Sequence, residues 1–239
     1  MKRFIPATIF GIAFGFLEAI VVVYLRKIYY PQGFSFPLTL LEPQMIQIEI
    51  VREISTIIML VTFGWILGKK LSERFSFFIF TFAVWDIFYY VALKLFLDWP
   101  ESLLTWDILF LIPITWVGPV LAPLICSAGM ILIALIYVYL NEKNYQIRFK
   151  LLQVLIIVLG VLIIIYTFIY DYFQLMSKNN FWRDFASITE KPEFWEAVRN
   201  FIPQKFKWFL FSSGCLLIAV SYLFSFLKAL KEGNRFNQN

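Results

Sequence analysis

Residues 45–68 have the sequence MIQIEIVREISTIIMLVTFGWILG, which is apolar over enough length to cross a bilayer but carries charges in its first half. A helix needs about 20 apolar residues to span the hydrocarbon core. Five further stretches meet that requirement, at 4–25, 76–97, 118–140, 151–170 and 206–228. The sequence therefore predicts an all-α fold, a polytopic transmembrane helical bundle of about six spans, with residues 1–239 forming a single transmembrane domain.

The composition excludes soluble and disordered proteins. The chain is 61% hydrophobic and only 15% charged, with a mean hydropathy of +0.76, whereas soluble domains carry about 25% charged residues. There is no histidine, which removes His-ligated haem and the usual zinc sites. The two cysteines form no CxxC motif, and no GxGxxG or P-loop pattern occurs. The cofactor is therefore unknown. Only a divalent cation held by oxygen ligands would suit such a chain, and we assign no metal-binding residue.

The distribution of lysine and arginine predicts the orientation. Basic residues concentrate in the loops on the side of the N-terminus, for example Lys69, Lys70 and Arg74 after the second span. The short loops on the other side hold only Arg26 and Lys27. By the positive-inside rule, we predict a multi-pass protein of the cell membrane with its N- and C-termini in the cytoplasm. We attribute the net charge of +5 to this anchoring in the lipid bilayer and not to nucleic-acid binding.

Residues 103–123 interrupt the pattern of spans. Pro113, Pro119 and Pro123 fall within this segment, and proline kinks or ends a helix. We therefore expect 103–117 to be a half-helix or re-entrant segment. Asp98 and Glu101 flank Pro100 in a D-x-x-E pattern, which predicts that a helix with a capping box starts there.

A second irregular segment, at 181–202, has the pattern of an amphipathic helix. Pro192 suits the first helical position, with Glu193 early and Arg199 late, as the helix dipole favours. Its aromatic and aliphatic residues fall on or near one face. We predict a segment that lies in the membrane interface. A plain surface loop and a cap over a pocket are the alternatives.

Charged residues inside the spans are the most informative feature of the chain. Such residues are costly at membrane depth, a few kcal/mol each, and mark a site, a pathway or a buried pair. The first three spans contain six charged residues: Glu18, Glu49, Arg52, Glu53, Asp86 and Lys94. In the predicted orientation all six lie in the middle-to-outer part of the membrane. Glu49, Arg52 and Glu53 share one helical stripe of the second span. Tyr89 and Tyr90 follow Asp86 by about one turn in the third span. Asp107 lies beyond the third span, at the predicted outer mouth of the site. The predicted ligand-binding residues are Glu18, Glu49, Arg52, Glu53, Asp86, Tyr89, Tyr90, Lys94 and Asp107.

The six charges within the spans do not balance. Four carboxylates accompany two basic groups, so the net charge is −2 if all ionise. Arg52 can bridge two carboxylates, and the other two must then be protonated or meet a cation in a low-dielectric setting. We expect shared protons, a bound metal ion, or a cationic or amine-bearing ligand. A buried ion-pair network that only holds the spans in register is the alternative.

The first span also carries a stripe of small residues. Ala7, Gly11, Gly15 and Ala19 follow a small-xxx-small pattern, which lets another helix approach closely. We expect tight packing just inward of Glu18. The Ala7/Gly11/Gly15 face is also a candidate surface for a partner subunit or a homo-oligomer.

Three functions remain open at this point. The first is binding or transport of a small solute: a cation, a proton or an amine-bearing ligand. The second is a membrane enzyme acting on a lipid or lipid-linked substrate at the outer leaflet, with Glu53 or Asp86 as general base and Arg52 holding an anionic group. The third is an accessory subunit of a larger membrane complex. The inner halves of the first three spans are nearly free of charge, which counts against transport by this chain alone.

Overall fold

The computed structural model describes residues 1–39, 41–183 and 191–236. In this part of the chain the elements are α1 (Phe4–Tyr29), α2 (Pro43–Leu67), α3 (Leu71–Leu97), β1 (Trp106–Phe110), β2 (Trp116–Pro119), α4 (Leu121–Glu142), α5 (Leu151–Lys178), α6 (Pro192–Arg199) and α7 (Trp208–Phe236). Six of the helices are long and apolar enough to cross a membrane. The prediction of an all-α bundle of about six spans is confirmed. Several helices extend beyond the predicted spans, and α5 continues to residue 178 instead of ending at 170.

The central helix is α3, which packs against α1, α2 and α4. The closest approach is to α1: a Cβ on Gly15 would lie 2.6 Å from the carbonyl oxygen of Trp85, and one on Gly11 would lie 2.8 Å from the side chain of Val84. The predicted tight packing of the first span is confirmed. Because α3 covers this face, on which Ala7 is fully buried, the prediction that the face binds a partner subunit or a second copy is wrong.

Polar contacts tie together the end of the bundle that carries the N-terminus. Glu73 accepts hydrogen bonds from Arg3 at 2.7 Å and from Asn141 at 2.6 Å. Arg3 also donates to the carbonyl oxygen of Leu67 at 3.0 Å, and the N-terminal ammonium pairs with Glu142. The helices α1 and α3 therefore run away from this end, and α2 and α4 run toward it. An apolar core that includes Phe4, Phe77, Phe80, Ala134 and Val138 packs next to these contacts.

The segment that follows α3 contains a β-hairpin, so the predicted half-helix at 103–117 is wrong. The strand β1 pairs antiparallel with β2, with Trp106 opposite Pro119 and Ile108 opposite Val117. Aromatic and β-branched side chains favour such pairing. Pro113 falls in the turn and Pro119 at the end of β2, where they interrupt no ladder, and Pro123 lies in the first turn of α4. The predicted helix start at Asp98 is also wrong, because Asp98 ends α3 in a left-handed conformation (φ 51°) and residues 98–105 contain no helix.

The helices α5 and α7 pack as a second pair. At their crossing, a Cβ on Gly160 would lie 2.8 Å from the carbonyl oxygen of Gly214, and the converse distance is also 2.8 Å. The short helix α6 contributes Phe194 to a small core with Met176 and Phe181. Of the predicted amphipathic segment 181–202, residues 192–199 form an α-helix and 184–190 lie outside the described residues. Its place at the membrane interface stays a prediction.

Candidate functional site

A cavity of about 310 Å³ lies in the half of the bundle away from the N-terminus. Its walls come from the later parts of α1 and α3, the earlier parts of α2 and α4, the middle of α5, and the hairpin. These parts all lie in the same half, because neighbouring helices run in opposite directions. The polar residues that line it are Glu18, Arg26, Tyr30, Glu49, Arg52, Glu53, Thr56, Asp86, Tyr89, Tyr90, Asp107 and Ser127.

Eight of the nine predicted ligand-binding residues line this cavity, and Lys94 does not. The Nζ of Lys94 pairs with Asp98 at 2.8 Å and donates to the carbonyl oxygen of Pro100 at 3.1 Å. The left-handed turn that ends α3 brings these oxygens to Lys94, whose side chain is 49% exposed. Its assignment to the buried cluster is therefore wrong. A role for the other eight residues in ligand binding stays a prediction.

Arg52 bridges two carboxylates across α1 and α2. Its Nε and Nη2 donate to Glu49 at 3.0 Å and 2.7 Å, and its guanidinium pairs with Glu18. Glu18 also accepts a hydrogen bond from the hydroxyl of Thr56 at 3.1 Å. The spacing of residues 49, 52 and 56 places them on one stripe of α2 beside α1. The positive charge of Arg52 is thus already matched inside the protein.

Glu53 holds the hairpin against α2. Its two carboxylate oxygens lie 3.1 Å and 2.9 Å from the backbone N–H of Leu111, directly after β1. In the described part of the chain, no lysine or arginine forms an ion pair with Glu53. Because the donor belongs to the hairpin backbone, the position of the hairpin and the ionisation state of Glu53 depend on each other.

Asp86 is buried in the middle of α3. It accepts a hydrogen bond from the hydroxyl of Ser127 on α4, at 2.8 Å. Within residues 1–39, 41–183 and 191–236 it has no basic partner at ion-pair distance. It is therefore the cavity carboxylate with the least compensation.

Sequence reasoning missed Arg26 as a functional residue, because it was assigned to a loop. The helix α1 continues to Tyr29, so Arg26 lies inside it. Its Nη2 donates to Asp107 of β1 at 2.8 Å, and the two side chains are only 8% and 1% exposed. The guanidinium carbon also lies 3.8 Å from the ring centroid of Trp99 and 4.2 Å from that of Phe34. The i, i+4, i+8 spacing of residues 18, 22 and 26 was the available signal, since it puts the two charges on one helical face.

Exchanging Lys94 for Arg26 leaves two basic groups in the cluster, and counting Asp107 with the carboxylates of the spans adds one negative charge. The cavity is lined by five carboxylates and two guanidinium groups, so the net charge is −3 if all ionise. The three pairs that involve arginine leave Glu53 and Asp86 without a basic partner among the described residues. Two of these three negative charges belong to Glu53 and Asp86, and the third belongs to Glu18 and Glu49, which share the single guanidinium of Arg52.

Aromatic rings form much of the remaining wall. The ring centroid of Trp85 lies 6.3 Å from that of Tyr89 and 6.4 Å from that of Phe110, and Trp116 stacks on Phe168 at 6.0 Å. The indole N–H groups of Trp85 and Trp116 are buried and have no hydrogen-bond partner in the described part of the protein. An unpaired buried donor is costly, and these two indole N–H groups are among the unsatisfied donors of the residues that line the cavity.

The carboxylates do not converge as metal ligands. In the described residues, no group of three Asp, Glu or Cys side chains is arranged so that it could hold a metal ion. Two of the five, Glu18 and Glu49, meet at Arg52 of α2. The other three contact separate elements, namely the hairpin, α4 and α1.

Comparison with known proteins adds no family to this geometry. No protein-family model matches the chain. Neither a curated protein sequence nor a solved structure matches it. The cavity itself is therefore the basis for inferring function.

Proposed function

We propose that this membrane protein binds a small solute with a cationic or amine group in the cavity. The observation that carries this proposal is that Glu53 and Asp86 are buried, line the cavity and have no basic partner among the described residues, while aromatic rings surround them. Carboxylates and aromatic faces both favour an ammonium group. Such a ligand would neutralise part of the surplus negative charge.

Binding from one side has more support than transport by this chain. Between the cavity and the N-terminal end, α1, α2 and α3 are packed with apolar side chains. Phe14, Leu60 and Trp85 form one buried cluster, and Phe10 stacks on Phe63 at 4.0 Å. If both termini lie in the cytoplasm of the cell membrane, as the positive-inside rule favours, the cavity belongs to the outer half of the protein.

The other two hypotheses have less support. An enzyme that uses Arg52 to hold an anionic group needs an uncompensated charge there, but Arg52 already pairs with Glu18 and Glu49. A purely structural network would give each carboxylate a basic partner, and Glu53 and Asp86 have none in the described part of the chain.

The test is a binding titration of the full chain in lipid nanodiscs with N-methylethanolamine, a small amine, followed by tryptophan fluorescence. We expect saturable binding that Asp86→Asn weakens at least about tenfold, since a hydrogen bond to a charged group is worth about 1.5–3 kcal/mol. Asn can keep the bond from Ser127, so the substitution removes mainly the charge. Asp98→Asn is the matched control, because it removes the same charge outside the cavity. Equal effects of the two substitutions, or no saturable signal, would refute the proposal.

A further inference from the structure

Building on that proposed function, we infer that the ligand is a membrane amphiphile that reaches the cavity sideways from the bilayer, between α2 and α5. Its polar end would carry an ammonium group and an oxygen that accepts hydrogen bonds, and its apolar chain would leave the cavity through this gap. Four features of the cavity lead to this assignment: its ends, its side wall, its polar lining and its apolar floor.

Both ends of the cavity are covered by packed side chains. At the end away from the N-terminus, Phe34 packs edge-on against Trp99 at 5.7 Å, and Phe36 packs against Phe201 at 6.1 Å. These contacts join the α1–α2 loop to the segment after α3 and to the segment after α6. At the other end lies the apolar packing of α1, α2 and α3 described above. In the described residues, packed side chains thus lie at both axial ends of the cavity.

In the described residues, the backbones of α2 and α5 do not approach each other as closely as those of the other packed helix pairs do. Both helices line the cavity, yet the backbone of α2 lies closest to α3, and that of α5 lies closest to α7 and β2. The hairpin contacts both helices. It contacts α2 through the bond from Leu111 to Glu53, and α5 through Trp116 and Phe168. Beyond the hairpin tip this wall borders the bilayer.

The polar lining contains both hydrogen-bond acceptors and hydrogen-bond donors that a ligand would have to match. Glu53 and Asp86 favour an ammonium group, as argued above. The indole N–H of Trp85 is an unpaired donor on a side chain that is only 6% exposed, and Trp116 supplies a second one. An ammonium ion alone cannot accept these hydrogen bonds. A polar end with an amine and a neighbouring hydroxyl or ether oxygen satisfies both groups.

The part of the cavity next to these polar groups is apolar. Phe82 precedes Asp86 by one helical turn, Met130 follows Ser127 by about one turn, and Ile164 precedes Phe168 by one turn. All three line the cavity on the side nearer the N-terminal end. A cavity of about 310 Å³ is at the small end of ligand pockets. It suits a polar end with a few methylene groups, and the rest of a long chain must lie in the gap.

The test compares three probes that differ in one feature each: N-dodecylethanolamine, its short analogue N-methylethanolamine, and its uncharged ether analogue 2-dodecyloxyethanol. Binding to the full chain in nanodiscs is measured against free aqueous probe, with empty nanodiscs subtracted. A site that opens to the bilayer binds the long amine at least about tenfold more tightly than the short one, because the bilayer concentrates the alkyl chain. A site that opens to water binds both amines alike. The ether should bind at least tenfold more weakly than the long amine.

Two variants test the route itself. Leu111→Trp enlarges a residue at the hairpin tip beside the gap, and because Leu111 also bonds Glu53 and lines the cavity, we expect it to weaken both amines, but the long amine at least about fivefold more than the short one. Leu104→Trp, on an exposed position of the same connecting segment, is the matched control and should change neither. A thermal unfolding midpoint for each variant shows that it is folded, and Leu111→Phe replaces Leu111→Trp if the latter is not.

The outcomes separate this inference from the proposed function. If long and short amines bind alike, or if Leu111→Trp weakens the long amine no more than the short one, while Asp86→Asn still weakens both, lateral access is wrong and the amine site stands. If Asp86→Asn weakens neither amine, the proposed function and the lateral route are both wrong.

Discussion

The buried ion pair between Arg26 and Asp107 should be one of the most stabilising side-chain contacts in the protein. Its loss can be compared with the loss of the exposed Lys94–Asp98 pair, which has the same N···O distance. Both this pair and the Lys94–Asp98 pair have an N···O distance of 2.8 Å. The side chains of the first pair are 8% and 1% exposed, and those of the second are 49% and 93% exposed. Burial is therefore the main variable between them.

Removing one partner of a buried pair leaves an uncompensated charge, which costs about 3–5 kcal/mol. Asp107→Leu leaves the guanidinium of Arg26, which stays charged at any accessible pH. Arg26→Met leaves a carboxylate that can take up a proton, so its cost should fall at the lower end of this range. The double variant Arg26→Met/Asp107→Leu replaces the pair by apolar groups and should lose less than Asp107→Leu alone. The exposed control Asp98→Asn should produce no measurable change, because solvent screens that pair.

The assay is the free energy of unfolding of the purified chain in mixed micelles, measured by titration with a denaturing detergent. The four proteins of the Arg26–Asp107 double-mutant cycle give the coupling energy directly. If each single substitution costs less than about 1 kcal/mol and the double variant equals their sum, the pair does not stabilise the hairpin on α1. The reasoning about its burial would then be wrong.

Three further predictions follow from contacts in the fold. Gly15→Ala places a Cβ 2.6 Å from a backbone oxygen of α3 and should lower the free energy of unfolding by about 1–3 kcal/mol. Gly129→Ala, whose Cβ would have no atom within 4 Å, should leave the free energy of unfolding equal or raise it by up to about 1 kcal/mol. Equal losses in the two variants would contradict the close contact. Glu53→Ala should speed hydrogen exchange in the hairpin, and Glu53→Gln, which keeps an acceptor, should change it less; identical exchange would show that Glu53 is no anchor. In a variant without the native cysteines, a membrane-impermeant maleimide should label Gly33→Cys but not Asn144→Cys in intact cells, and the reverse pattern would invert the predicted orientation.

The helical spans could be predicted because their signal is local. Each is a run of about 20 apolar residues, and a bilayer imposes that length whatever the neighbouring helices do. The close contact of α1 with α3 was predictable for a similar reason, since only small side chains at spacings of four residues allow it. The local pattern does not show which helix packs on the Ala7/Gly11/Gly15 face. The same face was therefore also interpreted as a surface for a partner subunit or a second copy.

The hairpin could not be predicted from the same kind of signal. Residues 103–119 are as apolar as a span, and proline indicated only that a regular helix is interrupted. What fixes this segment as two strands comes from distant residues: Glu53 bonds it from 58 positions away and Arg26 from 81. Arg26 itself was missed for a related reason, because helix ends inferred from composition are uncertain by a few residues and a shift of four moves it from a loop into the cavity.

The 81-residue separation between Arg26 and Asp107 also has a consequence for how the protein is made. At a synthesis rate of about 5–20 residues per second, Asp107 leaves the ribosome about 4–16 s after Arg26. During that time the first span carries the guanidinium of Arg26 without its final partner, whereas the partners of Glu18 on the second span are translated earlier. Insertion of the first helix therefore precedes the neutralisation of Arg26. A nascent chain that stops after three spans is not yet a complete folding unit, because the counter-charge of its first helix is still untranslated.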